Sequence, residues 1–339
     1  MPLIPFETMQ LAHYEKKIRT VQELMYRRLA PLQEIRFYDG ELAGAEHPDF
    51  DDRTWSPFAV GHTWGGRDKI GWFRIPFTVP AQAQGQKLAL LVLPGKKFVF
   101  KSSEGGDLRE YELLVYLDGR PLQSIDVRRT EIPLWDLVRP GEKHLLAIEA
   151  FSGLEAHDHL FAQVDLVAIN SEVEQFYFTV KNIFDTAVAI GENHPVYPEW
   201  CRILHQALLE VDFLNLGQAS FFASIVQANA KLSKVLHRLE AEADVAPTVV
   251  SLGHSHPDLA WKWQIKHSIR KAARTCANAL RLADLYPEYR FTQSQAQLYQ
   301  WVQRYYPLLF SAIREKIKTG QWEATGGMWV ESDCNIPSG

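Results

Sequence analysis

Cysteine is scarce: Cys201, Cys276 and Cys334 are the only three in 339 residues. So few, and odd in number, they exclude the disulfide framework of a small secreted protein. No Asn-X-Ser/Thr triplet occurs. The N-terminus, MPLIPFETMQ, lacks a basic stretch followed by a long apolar run, so no secretory leader is read. Long hydrophobic runs are missing as well. The longest, around Leu88 to Leu93, is far too short to span a bilayer. Positive charge is not in excess: 36 Lys and Arg against 41 Asp and Glu give a formal net charge of −5. That balance argues against nucleic acid or an anionic membrane as partner. Repeats and low-complexity tracts are absent. The expectation is a soluble, cytoplasmic chain, with the oligomeric state, homo-oligomer included, left open.

What is present supports a large core. Hydrophobic residues make up 46%, and the length suits two or three domains of about 100–200 residues each. Residues 1–54 read as an N-terminal helical strap, with Ile18, Val21, Met25 and Leu29 at helical spacing over 8–29. Residues 55–169 read as an antiparallel β-sandwich, jelly-roll-like. Its strand runs include GWFRIPFTVP, KLALLVLP, ELLVYLDGRPLQSIDV, KHLLAIEAF and FAQVDLVAI, and Asp118-Gly119 marks a hairpin. KSSEGGDLRE, 101–110, reads as an exposed insert. Residues 170–246 form a helical connector of three segments, broken at ENHPVYPE and ending in the linker ADVAP. Residues 247–339 alternate: TVVSLG as a buried strand, a helix over 262–285, YRFTQS as a second strand, a helix over 296–318, and QWEATGGMWV as a third. That order predicts the first half of a parallel, barrel-like α/β catalytic domain.

Such sheets gather chemistry at the carboxyl ends of their strands. The first end carries His254, His256 and Asp258; the second Gln293, Ser294, Gln295 and Gln297; the third Glu331, Asp333 and Asn335. In extended chain, residues 254, 256 and 258 face one way. Two imidazoles and a carboxylate suit a divalent ion of the zinc type, with Asp333 as a further oxygen ligand. His254 is the candidate for orienting a ligand rather than being one. Asp258 could instead cap the following helix. Trp261, Trp263 and Trp329 near such a site suggest a stacking surface for a sugar ring, although tryptophan is more often core. The basic residues Lys266, His267, Arg270, Lys271, Arg274 and Arg281 read as a solvated helix face, with a phosphate site as the alternative. Cys334 has no assignable partner histidine and is not read as a nucleophile.

These segments resemble the α-mannosidases of glycoside hydrolase family 38. GHSHPDLAWKW, YPEYRFTQSQAQLYQW, YYPLLF and GQWEATGGMWVESDCNIPSG follow the family's pattern in order and spacing, and TWGGRDKIGWFRIPFTVP and LLVYLDGRPLQSID look like the sandwich of its cytosolic and bacterial branch. The resemblance implies a retaining, exo-acting glycosidase using zinc (cobalt in some members) on mannose-containing oligosaccharides. By position, His256 and Asp258 match metal ligands, Asp333 matches both ligand and nucleophile, and Trp261 matches an aromatic beside the bound sugar. Where the family usually has Trp-Pro-X-X-Glu-Thr, this chain has Trp263-Gln264-Ile265-Lys266-His267-Ser268. The family's general acid and remaining histidine ligand lie beyond the portion matched, so the chain is expected to be an incomplete fragment, inactive alone. An amidohydrolase-like zinc enzyme and a non-catalytic carbohydrate-binding fragment are the rival expectations.

Overall fold

The computed structural model describes residues 6–95, 110–242 and 248–331. Helix α1 (Phe6–Glu23) leads into β1 (Tyr26–Pro31), β2 (Ile35–Asp39), β3 (Ser56–Phe58), β4 (Thr63–Gly66), β5 (Ile70–Thr78), β6 (Lys87–Leu93), β7 (Glu112–Leu117), β8 (Arg120–Ile125), β9 (Glu131–Pro133), β10 (Lys143–Phe151), β11 (His157–Leu160) and β12 (Gln163–Ile169). Helices α2 (Ser171–Ile190), α3 (Tyr197–Leu209) and α4 (Ala219–Glu242) follow. Then come β13 (Gly253–His254), α5 (Ile265–Leu285), β14 (Phe291–Gln293), α6 (Ala296–Tyr305), α7 (Pro307–Lys318) and β15 (Trp322–Ala324). The β-rich part holds a six-stranded sheet, β3-β2-β5-β10-β7-β8, a four-stranded sheet, β1-β12-β6-β9, and the pair β11-β4.

By packing the chain divides into two units. One comprises Met1–Leu29, Gly85–Ala89 and Val167–Thr248. Its helices bury an apolar stripe each, including Val173, Phe176 and Val180 of α2 and Phe221 and Ile225 of α4. Asn170 caps α2 by accepting from the amides of Glu172 and Val173. Tyr14 meets His205 Nδ1 at 3.0 Å.

The other unit comprises Ala30–Gln84, Leu90–Leu166 and Val249–Gly339. Its six-stranded sheet is antiparallel throughout. Asp118 and Gly119 both have positive φ, 50° and 80°, the conformation a two-residue hairpin requires. The Asp118 carboxylate accepts from the Leu145 amide at 2.8 Å, tying the turn to β10. Strands β5 and β10 are buried nearly along their whole length, not on alternate residues. Trp72, Leu114, Tyr116 and Ala147 share one apolar cluster with Ala272, Ala273, Cys276 and Ala277 of α5. Helix α5 thus covers a face that an antiparallel sheet often leaves to water.

Several expectations need correction. The strap span contains β1 and β2: helical spacing continues through Met25 and Leu29, but pairing with the sheets overrides it after Glu23. TVVSLG is not a buried strand. Only Gly253 and His254 pair, with Phe291 and Thr292, while Val249, Val250 and Leu252 are exposed. The helix expected over 296–318 is two helices. Pro307 cannot donate to the preceding turn, and Tyr306 leaves the helical region at φ −135° and ψ 61°. The third strand stops at Ala324, before Gly326 turns the chain with φ 77°. Strands β13, β14 and β15 do form a parallel sheet, in that order; among the described residues it does not close into a barrel. ADVAP, and the 101–110 insert up to 109, lie outside the described residues.

Candidate functional site

The residues after β13 are held by two buried amides. Gln293 Nε2 donates to the carbonyl of Ser255 at 2.9 Å, and Gln295 Nε2 to that of Pro257 at 3.0 Å. Both glutamines are 2% exposed, so leaving these bonds unmade would strand polar groups in the core. They fix the backbone on either side of His256. The second strand end, noted in the sequence only as polar, is therefore scaffolding for the first.

His256 projects its ring between two carboxylates. Nδ1 lies 2.6 Å from Glu331 Oε2, and Nε2 lies 3.5 Å from Asp258 Oδ1. The short contact makes Nδ1–H the donor to Glu331. Nε2 faces the Asp258 oxygen at a distance too long for a good hydrogen bond. An imidazole nitrogen and a carboxylate oxygen turned toward each other, with a second carboxylate behind the ring, is the donor chemistry that suits a divalent cation. The two side chains present fit such an ion as part of its shell. Among the described residues no trio of His, Cys, Asp and Glu could hold one; Asp333 and Cys334 lie outside the described residues.

Around this pair is a cavity of about 310 Å³, lined among others by His256, Asp258, Trp263, Glu112, Lys271 and Arg274. Lys271 and Arg274 both bond the Glu112 carboxylate. Burial alone would push that carboxyl up, but the two cations hold it below the usual carboxylate range. Trp263 donates from Nε1 to Ser268 Oγ at 2.9 Å, and Ser268 donates in turn to the Leu259 carbonyl at 2.6 Å. Trp261 is exposed, stands edge-on to Trp263 with centroids 5.5 Å apart, and has Lys262 Nζ over its ring at 4.4 Å. Trp329 donates to Gln297 Oε1 at 3.0 Å.

His256 and Asp258 are thus brought together, with Trp263 beside them. His254 ends β13 with its side chain exposed, and among the described residues no hydrogen bond joins it to His256. The orienting carboxylate is Glu331, which sequence reasoning listed at the third strand end without a role. Its signal was a carboxylate two residues before Asp333. The basic residues of α5 are paired with carboxylates of the β-rich part. Arg270 bonds Glu149 at 3.0 Å, Arg281 bonds Asp136 at 2.6 and 2.8 Å, and Lys266 bonds Asp68 at 2.8 Å.

Residues 246–339 match the model of the glycosyl hydrolases family 38 N-terminal domain, and residues 38–181 that of the α-mannosidase jelly roll domain. Alpha-mannosidase G of Dictyostelium discoideum is 26% identical over 94% of this chain, and alpha-mannosidase 2C1 of Homo sapiens is 29% identical over 85%. The alignments span 29% and 27% of those relatives, so the chain spans less than a third of their length. An alpha-mannosidase of Saccharomyces cerevisiae is 37% identical over 37% of this chain and 11% of its own. In order along the sequence, the chain matches the α-mannosidase jelly roll domain and then the family 38 N-terminal domain, and the curated relatives aligned with most of its length are α-mannosidases.

Proposed function

We propose that this chain supplies the jelly roll and the first catalytic strands of a retaining exo-α-mannosidase that removes terminal α-linked mannose from oligosaccharides. The observation that carries the reading is the His256–Asp258 pair with Glu331 behind it, inside the segment that matches the family 38 domain. His256 Nε2 and the Asp258 carboxylate would hold a zinc or cobalt ion, with Asp333 as a third ligand. When bound, such an ion would supply positive charge that orients sugar hydroxyls and holds the carboxylate nucleophile.

The remaining roles fall to side chains. Asp333 attacks the anomeric carbon, the bond to the leaving oxygen breaks, and a covalent mannosyl-enzyme forms. Water later releases mannose. A second carboxyl group must protonate the leaving oxygen and then take the proton from water; no side chain of the described residues is assigned that part. Trp261, exposed and edge-on to Trp263, would offer a ring face to the sugar. The barrel is proposed for the whole enzyme, as is its activity.

Cobalt titration of the purified chain, read in the visible spectrum, tests the pair. One ion per chain is expected, its signal lost in His256→Ala and in Asp258→Ala. An unchanged titration in both variants would overturn the assignment. With an aryl α-mannoside, the 339-residue chain alone is expected to give no turnover; metal-dependent release of the aryl group would overturn that expectation.

A further inference from the structure

A second cavity, of about 700 Å³, lies between the outer face of the jelly roll and the start of α5 and α7. Trp72, Tyr116, Glu149, Arg270 and Tyr306 line it, with the 41–47 loop as a wall. It shares no lining residue with the cavity around His256. The loop wall is fixed from beneath. The buried Arg74 guanidinium donates to the carbonyls of Ala45 at 2.6 Å and His47 at 2.8 Å, and to Asp52 Oδ2 at 2.8 Å. The cavity is therefore preformed, as small-molecule sites usually are.

Its polar groups are partly spoken for and partly idle. Arg270 bonds Glu149 at 3.0 Å and reaches Glu41 at 3.3 Å. Lys266 is held by Asp68. Tyr116 is 6% exposed, yet among the described residues its hydroxyl has no hydrogen-bond partner; nor has the Tyr306 hydroxyl or Trp72 Nε1. None of the three is among the buried atoms left without a partner, so they open to the cavity and are available to a guest that can bond them. Burial raises both phenols above the ordinary tyrosine range, with the Glu149 charge adding to it; both stay protonated donors at neutral pH.

The lining selects among ligand classes. An apolar guest would leave the two phenols and the indole N–H unmatched. An anion would meet Glu41, Glu46 and Glu149 while the nearby cations are already engaged. A cation would need carboxylates that Arg270 already occupies. A hydroxyl both donates and accepts, and matches phenols and an arginine–carboxylate pair together. We propose that this cavity binds a neutral saccharide of one or two hexose rings, as a second site apart from the chemistry at His256.

Calorimetric titration of the 339-residue chain with methyl α-mannoside and methyl α-glucoside, in EDTA, tests this. At least one is expected to bind with Kd on the order of 1 mM. Tyr116→Phe and Tyr306→Phe keep their rings, and each is expected to weaken binding about three- to tenfold, with unchanged circular dichroism as the folding check. Glucuronate is expected to bind about tenfold more weakly or less. His256→Ala is expected to leave sugar binding intact while abolishing the cobalt signal, so the two sites fail separately. Absence of binding for both glycosides, equal affinity for glucuronate, or binding untouched by both phenylalanine variants would overturn the proposal.

Discussion

At the residue scale the decisive contact is His256 with Glu331. Glu331→Gln keeps an oxygen to accept from Nδ1–H but removes the charge, which lowers the ring's basicity as a ligand. Partners of this kind are typically worth about 10–100-fold in metal affinity. We expect zinc to bind Glu331→Gln more weakly by that factor, measured by competition with a chromophoric chelator, with unchanged thermal stability. A second residue, His159, sets a pH limit. Its Nε2 donates to the Ser152 carbonyl at 2.8 Å, so Nδ1 is bare, and that atom is buried without a partner. Burial lowers the His159 pKa below its ordinary value. The unfolded chain then takes up a proton first as pH falls. The stability His159 contributes is present above the unfolded value of about 6.5 and is lost as pH drops from there toward the folded one. Buried His267 is shifted the same way, by burial first. Thermal melts should show a lower Tm at pH 5.5 than at pH 7, and His159→Gln should narrow the gap.

At the element scale, α5 explains why its charges were misread. Spacing alone shows six basic residues along one helix. It does not show acidic partners far away in sequence: Glu112, Glu149, Asp136 and Asp68 all come from the β-rich part. The strands that were legible are apolar runs bounded by turns (β5, β6, β7, β10 and β12) or, like β8, follow the Asp118-Gly119 hairpin. Those that were not, such as β3, β9 and β11, have three or four residues and carry too little periodicity to read. The pairing of His256 with Asp258 was legible because both lie past one strand end. The role of Glu331 was not, because it depends on a contact across 75 residues. Helix α5 gives its own prediction. Glu112→Ala leaves Arg274, 7% exposed, without its carboxylate. Breaking one side of a buried pair typically costs about 3–5 kcal/mol. Urea unfolding should show a loss of that size, whereas Arg53→Ala, at its fully exposed pair with Asp51, should leave the unfolding midpoint essentially unchanged.

At the scale of the whole molecule, the parallel sheet stands apart from the rest. Strands β13 and β15 each pair on one side only among the described residues. The approach to β13 exposes Val249, Val250 and Leu252, and the segment after β15 exposes Met328, Trp329 and Val330. Unpaired strand edges beside apolar side chains invite pairing with another chain. The jelly roll offers no such liability at β5 and β10, which are paired on both sides. Self-association of the 339-residue chain should therefore run through the β13 edge. Sedimentation velocity should show the average mass rising with concentration in the micromolar range. Val250→Lys places a charge at that edge without touching the buried clusters, and should lower the association while changing unfolding stability by no more than about 0.5 kcal/mol. If the variant associates as strongly as the parent, the contact lies elsewhere, and the open sheet is not what holds the copies together.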